Sequence, residues 1–170
     1  SDLEKAAVIA EQLVPLRQSS KSLSDSAAEQ LVKFVAGFQS SIRALKSGDR
    51  IVFPAGWHSP GSSHAVLFIL DKTRVDFALT VCNTGAGVSH HEKTIAQYPK
   101  IKHRTALRIP GIPEARVTDE GWLMMLWRLY TLPTETGVEE MYEVLLPHVA
   151  GCSLSEAASK VGAHRQRCHS

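Results

Sequence analysis

Trp57-His58-Ser59-Pro60-Gly61-Ser62-Ser63-His64 leads into an apolar run over 65–70. After a polar turn comes Phe77-Ala78-Leu79-Thr80-Val81-Cys82-Asn83-Thr84-Gly85-Ala86-Gly87. The two apolar runs predict β-strands joined by a short turn, with a histidine where the first starts and an asparagine where the second ends. In an antiparallel hairpin the start of one strand lies beside the end of the next. His64 and Asn83 are therefore expected on one face of the sheet, within roughly 2.7–3.5 Å of each other. A neutral imidazole at a strand mouth can serve as a general base, and Pro60-Gly61-Ser62-Ser63 reads as a small-residue loop that leaves room for a substrate backbone. Asn83 cannot titrate, but its side-chain carbonyl can accept from one ring N–H and so fix the tautomer. Each residue also has a plainer reading: His64 as a half-exposed strand residue, Asn83 as an Asx turn ahead of two glycines.

Upstream of the hairpin the pattern is helical. Leu3, Ala7, Ala10, Leu13 and Val14 repeat at helical spacing behind Asp2 until Pro15 interrupts, and a Ser-rich loop spans 19–24. Ser26-Ala27-Ala28-Glu29 is a capping-box pattern, and Leu31, Phe34, Val35, Phe38, Ile42 and Leu45 mark one apolar face behind it. Arg50 to Phe53 begins the strand region, and a further strand is expected over 102–109, closed by Pro110-Gly111 and Pro113. Beyond it, Thr118 or Asp119 caps a helix bearing Trp122, Met125, Leu126, Leu129 and Tyr130, which Leu132-Pro133 ends. Helices over 138–149 and 153–161 follow. This order predicts an α+β fold with a central antiparallel sheet flanked by N-terminal and C-terminal helices. One domain is expected over 1–170, with a helical part over 1–48, the sheet over 49–112 and a second helical part over 113–170. Phe34, Phe38, Val66, Phe68, Leu126 and Leu129 are the expected core.

Composition narrows the function classes. At 170 residues, 44% hydrophobic and 21% charged, the chain can bury roughly two-thirds of its unfolded surface. A formal net charge of +2 without a Lys/Arg run and interleaved aromatics argues against nucleic acid, and no 18-residue apolar segment argues for a membrane span. Three cysteines without metal-type or disulfide-framework spacing point to a reducing compartment, cytoplasmic or nuclear. The chain starts on Ser1 and stops on Arg165-Gln166-Arg167-Cys168-His169-Ser170 without a turn or cap, so it reads as a segment of a longer polypeptide. No cofactor is implied. His90-His91-Glu92 lies on an expected extended segment whose neighbouring side chains diverge, and neither Cys-x-x-Cys nor His-Glu-x-x-His occurs. A metal-binding domain would need His58, His64 and His90 or His91 to converge. Asn83-Thr84-Gly85-Ala86-Gly87 lacks the following Lys-Ser/Thr of a phosphate loop.

Ser63-His64-Ala65-Val66 followed by Val81-Cys82-Asn83-Thr84-Gly85 resembles the His/Asn strand pair of the papain-like cysteine peptidases, over about a fifth of the chain. In that superfamily a His-Ala-Val strand is followed, after a hairpin, by a strand ending in Asn, a small residue and Gly. The resemblance implies a thiol hydrolase of intracellular proteins acting on a protein or peptide substrate. Cleavage of peptide or isopeptide bonds is expected, with ubiquitin-like deconjugation as one form. Two departures stand out. No Cys precedes His64, whereas these peptidases place the nucleophile upstream on a helix N-terminus. Asn83 is followed by Thr-Gly rather than Ser-Trp-Gly, so the aromatic shield of the His–Asn bond is absent or supplied by Trp57.

The nucleophile must then come from downstream, as in a circularly permuted papain-like fold, which adjacent termini would permit. Alternation points Cys82 away from Asn83 and into packing. Cys152, in Gly151-Cys152-Ser153, precedes a helix whose unpaired N–H groups would stabilise a thiolate. Cys168 follows Gln166 at a two-residue gap. The resemblance gives Gln166 the oxyanion-stabilising role, and a cysteine after Ser170 would suit its spacing better than Cys168. The rival expectation is a non-catalytic α+β interaction module of a multidomain protein, with the hairpin as scaffold. Assembly state is open.

Overall fold

The computed structural model describes residues 25–94 and 102–157. The expected helix before Pro15, the loop over 19–24, Gln166 and Cys168 all lie outside the described residues. The described chain is α+β: a four-stranded antiparallel sheet with helices on both sides of it in the chain. Helix α1 (Asp25–Arg43) precedes the sheet strands β1 (Arg50–Ser59), β2 (Ser62–Lys72) and β3 (Phe77–Cys82). A 3-10 turn (Val88–His90) leads to a two-stranded ribbon, β4 (Lys93–Thr94) with β5 (Lys102–His103), and then to β6 (Ala106–Ile112). Helices α2 (Glu114–Val117) and α3 (Glu120–Thr131) follow. Three pieces, Gly137–Glu139, a π-helical Glu140–Leu145 and Leu146–Ala150, then run on through αR backbone as one helical rod, α4.

The sheet runs β1-β2-β3-β6, every pair antiparallel. Alternation does the sorting. Phe53, Ala55 and Trp57 of β1 face Phe68, Val66 and His64 of β2, and on this face Leu79, Val81, Leu107 and Ile109 are buried as well. Helix α1 seals it through Phe38, whose ring meets Phe53 edge-on at 4.9 Å, and Phe53 meets Phe68 at 5.5 Å. Trp122, Leu126 and Leu129 of α3 and Met141, Tyr142 and Leu145 of α4 join the same buried cluster. All six expected core residues are buried. Helix α3 is capped by Asp119, whose carboxylate accepts from the Trp122 N–H at 2.8 Å.

Three expectations need correction. The segment before His64 is not an open loop: Ser59 pairs with Ser62, so only Pro60 and Gly61 turn, and Ser62 and Ser63 already belong to β2. Gly61 takes φ 80°, the left-handed backbone that a Pro-Gly turn requires. The strand expected over 102–109 is broken at Arg104 and Thr105 into β5 and β6. Pro110-Gly111 does not close it, because β6 runs on to Ile112 through a bulge opposite Ala78, with Gly111 at φ 72°. An edge strand tolerates a proline at such a bulge, since no further neighbour needs its missing N–H. Finally, His90 ends a 3-10 turn with His91 as its C-cap, so this pair is not on an extended segment.

Candidate active site

The pleat points His64 and Asn83 the same way. His64 lies opposite Trp57 and in phase with the buried Val66 and Phe68, and Asn83 continues the phase of Leu79 and Val81. The result is a direct bond: His64 Nε2 stands 2.9 Å from Asn83 Oδ1. Because Oδ1 can only accept, the ring proton sits on Nε2 and Nδ1 carries the lone pair. Among the described residues Nδ1 has no hydrogen-bond partner, so the basic nitrogen is free to receive a proton from a nucleophile.

Besides Asn83, two neighbours hold the imidazole in that pose. The Trp57 indole covers one face, ring centroids 4.6 Å apart at 33°. Trp57 is itself pinned by Gly137, where a Cβ would fall 2.2 Å from the indole Cδ1. Gly85 closes the ring's far end. A Cβ there would come 2.4 Å from His64 Cε1 and 3.3 and 3.4 Å from Nδ1 and Nε2, which places it end-on between the two nitrogens. The Gly85 N–H also donates to Asn83 Oδ1 at 2.9 Å. The sequence offered Trp57 as one source of an aromatic shield, and the indole does lie against His64.

Asn83 is 3% exposed and every polar atom of its amide is used. Its Nδ2 donates to the Ala86 carbonyl at 2.6 Å and to the Tyr142 hydroxyl at 2.9 Å, while Oδ1 takes the His64 and Gly85 donors. An amide with both donors and its acceptor assigned has one orientation, not two. Tyr142 comes from the π-helical stretch of α4, where Met141, Tyr142, Leu145 and Leu146 all turn inward. Its hydroxyl also lies 3.0 Å from His91 Nε2, and His91 Nδ1 lies 2.8 Å from the Arg104 carbonyl. Burial pushes the Tyr142 phenol up and the His91 imidazole down. Tyr142 carries no signal in the sequence that marks it for this role, and His91 stands out there only beside His90 and Glu92 as a metal-ligand pattern. The Met141-Tyr142 and Leu145-Leu146 doublets are the one trace of the π-bulge that a pattern search could find.

The cysteines separate. Cys82 pairs across from Leu67 and Ala106, on the sheet face opposite Val81. Cys152 precedes Ser153, whose hydroxyl accepts from the Glu156 N–H while Glu156 receives the Ser153 N–H at 3.0 Å. That reciprocal cap makes Ser153 the N-cap and sets Cys152 one residue outside the helix, partly buried against the core. His90 stacks on Tyr142 at 4.7 Å and His58 bonds Ser63 at 2.7 Å, so neither His58 nor His90 shares a ligand set with His64. Among the described residues no group of three or more His, Cys, Asp or Glu side chains is arranged to hold a metal ion, and no helix is long and apolar enough to cross a membrane. No family model matches the sequence, and neither a curated protein nor a solved structure matches it.

Proposed function

We propose that this chain carries the His/Asn half of a papain-like thiol hydrolase, in a permuted arrangement, acting on peptide or isopeptide bonds. The observation that carries the reading is the His64 Nε2–Asn83 Oδ1 bond at 2.9 Å under an indole, which leaves Nδ1 without a hydrogen-bond partner among the described residues. The nucleophile is a cysteine of the C-terminal region, Cys168 or one following Ser170 in a longer chain. Cys152 is the weaker choice, because its side chain packs against the core.

The chemistry follows from the tautomer. His64 Nδ1 takes the thiol proton, giving a thiolate–imidazolium pair that Asn83 Oδ1 stabilises through Nε2–H. The thiolate attacks the scissile carbonyl carbon, and the oxyanion is held by Gln166 with a backbone N–H. The imidazolium returns its proton to the leaving amine as the C–N bond breaks, leaving a thioester. Water then attacks the thioester, delivers a proton to Nδ1 and releases a carboxylate and the thiol. Turnover of fluorogenic peptide and ubiquitin-like amide substrates tests this. Both His64→Ala and Asn83→Ala should suppress it, the first completely and the second by about 100-fold through loss of orientation.

A second reading, the interaction module, is favoured by one feature. An open groove of about 230 Å³ runs between α1 and α3, lined by Leu31, Val32, Val35 and Met124, with Val32 67% and Met124 48% exposed.

A further inference from the structure

The bonds around Asn83 continue past it, and their donors and acceptors run in one direction only. His91 Nδ1 must carry its proton to reach the Arg104 carbonyl at 2.8 Å, which leaves Nε2 as an acceptor. The Tyr142 hydroxyl, 3.0 Å away, therefore donates to Nε2. Its oxygen is then free to accept from Asn83 Nδ2 at 2.9 Å, and Asn83 presents Oδ1 to His64. We propose that Tyr142 and His91 are positioning residues for this site. Through one buried chain of hydrogen bonds, neutral His91 adds to the Ala86 carbonyl and the Gly85 N–H in holding the sense of the Asn83 amide, and so the proton on His64 Nε2. The proposal rests on the reading of His64 as base and Asn83 as its orienter.

The surroundings favour a neutral His91. The residue is 3% exposed, and burial holds its imidazole below the ordinary range. The ionisable groups about it are His90 on the 3-10 turn, Tyr142 on α4, His103 of the ribbon and Arg104 just after it; Arg104 is paired with Glu92 at 2.7 Å. The backbone of His91 is tied down as well, since the His103 Nδ1–H donates to its carbonyl at 3.1 Å. A proton on Nε2 would reverse the chain. The Tyr142 oxygen would then face two donors and its own proton would lose its acceptor; turning the amide over would restore one, but would set Oδ1 against the Ala86 carbonyl and an NH₂ against His64 and the Gly85 N–H.

Ring-nitrogen NMR shifts of ¹⁵N-histidine-labelled protein at pH 8 read the tautomers directly and need no turnover. An inert protein therefore bears on the proposed hydrolase alone, and the tautomers on the chain alone. In the wild type His91 should be the Nδ1–H form and His64 the Nε2–H form. Tyr142→Phe keeps the ring and removes the link, so the His64 tautomer ratio should fall about five- to tenfold, the worth of one net hydrogen bond. His91→Leu should do the same, whereas His91→Gln, which offers an acceptor to the Tyr142 hydroxyl, should restore the Nε2–H form. A folded Tyr142→Phe with an unchanged His64 ratio overturns the proposal. Should that variant fail to fold, the His91 pair decides: equal ratios in His91→Gln and His91→Leu overturn it.

Discussion

Replacing Gly85 by Ala tests whether the pose of the imidazole governs the site. The added methyl would sit 2.4 Å from His64 Cε1, against an ordinary carbon–carbon contact of about 3.5–4.0 Å. The deficit is about 1 Å, and the approach is end-on, so sliding the ring sideways does not relieve it. Either the imidazole retreats, stretching the 2.9 Å bond to Asn83 past the hydrogen-bonding limit, or the Gly85 backbone withdraws and takes its N–H from Asn83 Oδ1. Each route removes one of the two donors that hold the Asn83 carbonyl. A misplacement of this size costs about 100-fold in rate. Gly85 is exposed and its backbone is not left-handed, so the stability lost should stay near the roughly 1 kcal/mol of one hydrogen bond, far less than the loss in rate. The assay is kcat/KM on an amide substrate beside a urea melt of the same protein. A variant that keeps its rate within twofold, with the His64–Asn83 bond intact in its structure, would refute the reasoning.

Phe38 is fully buried and meets both Phe34 and Phe53, so Phe38→Ala should cost about 3–5 kcal/mol in a urea melt; a loss below about 1 kcal/mol would mean that α1 does not seal the sheet. His91 has its folded pKa depressed, so between that value and the ordinary imidazole value of about 6.5 the unfolded chain binds more protons than the native one. Stability should thus be complete above about pH 6.5 and fall as the pH drops through that window, and His91→Gln should flatten the slope seen by chemical denaturation. Asp119→Ala removes the cap of α3 and should cost about 1 kcal/mol, most of it the lost bond to Trp122 N–H, because the His148 pair is exposed to solvent. Thermal melts at low and high salt should differ little for this variant.

The strand pair was legible because an antiparallel return leaves little freedom: once 65–70 and 77–81 are strands, His64 and Asn83 lie at the same end of the hairpin, and the register that pairs Leu67 with Cys82 puts them on one side. The helix face through Phe34 and Phe38 was legible from its helical spacing. The turn before His64 was misread because Pro60, Gly61, Ser62 and Ser63 are all turn-forming residues, and only the pairing register shows that two of them belong to a strand. Pro110-Gly111 misled similarly, since a bulge in an edge strand and a strand end carry the same residues. Tyr142 and His91 escaped because their roles depend on contacts made across 59 and 51 residues of chain, through a π-helical turn that propensity does not announce.

Mass-spectrometric mapping of a thiol-directed, peptide-like probe on the natural full-length protein, wild type beside His64→Ala, tests the central claim most directly. The account predicts one cysteine labelled at neutral pH, at Cys168 or after Ser170, with labelling abolished in His64→Ala because the thiolate depends on the imidazolium. Labelling that survives undiminished in His64→Ala, or that falls on Cys82, would contradict it and leave the interaction module as the better description.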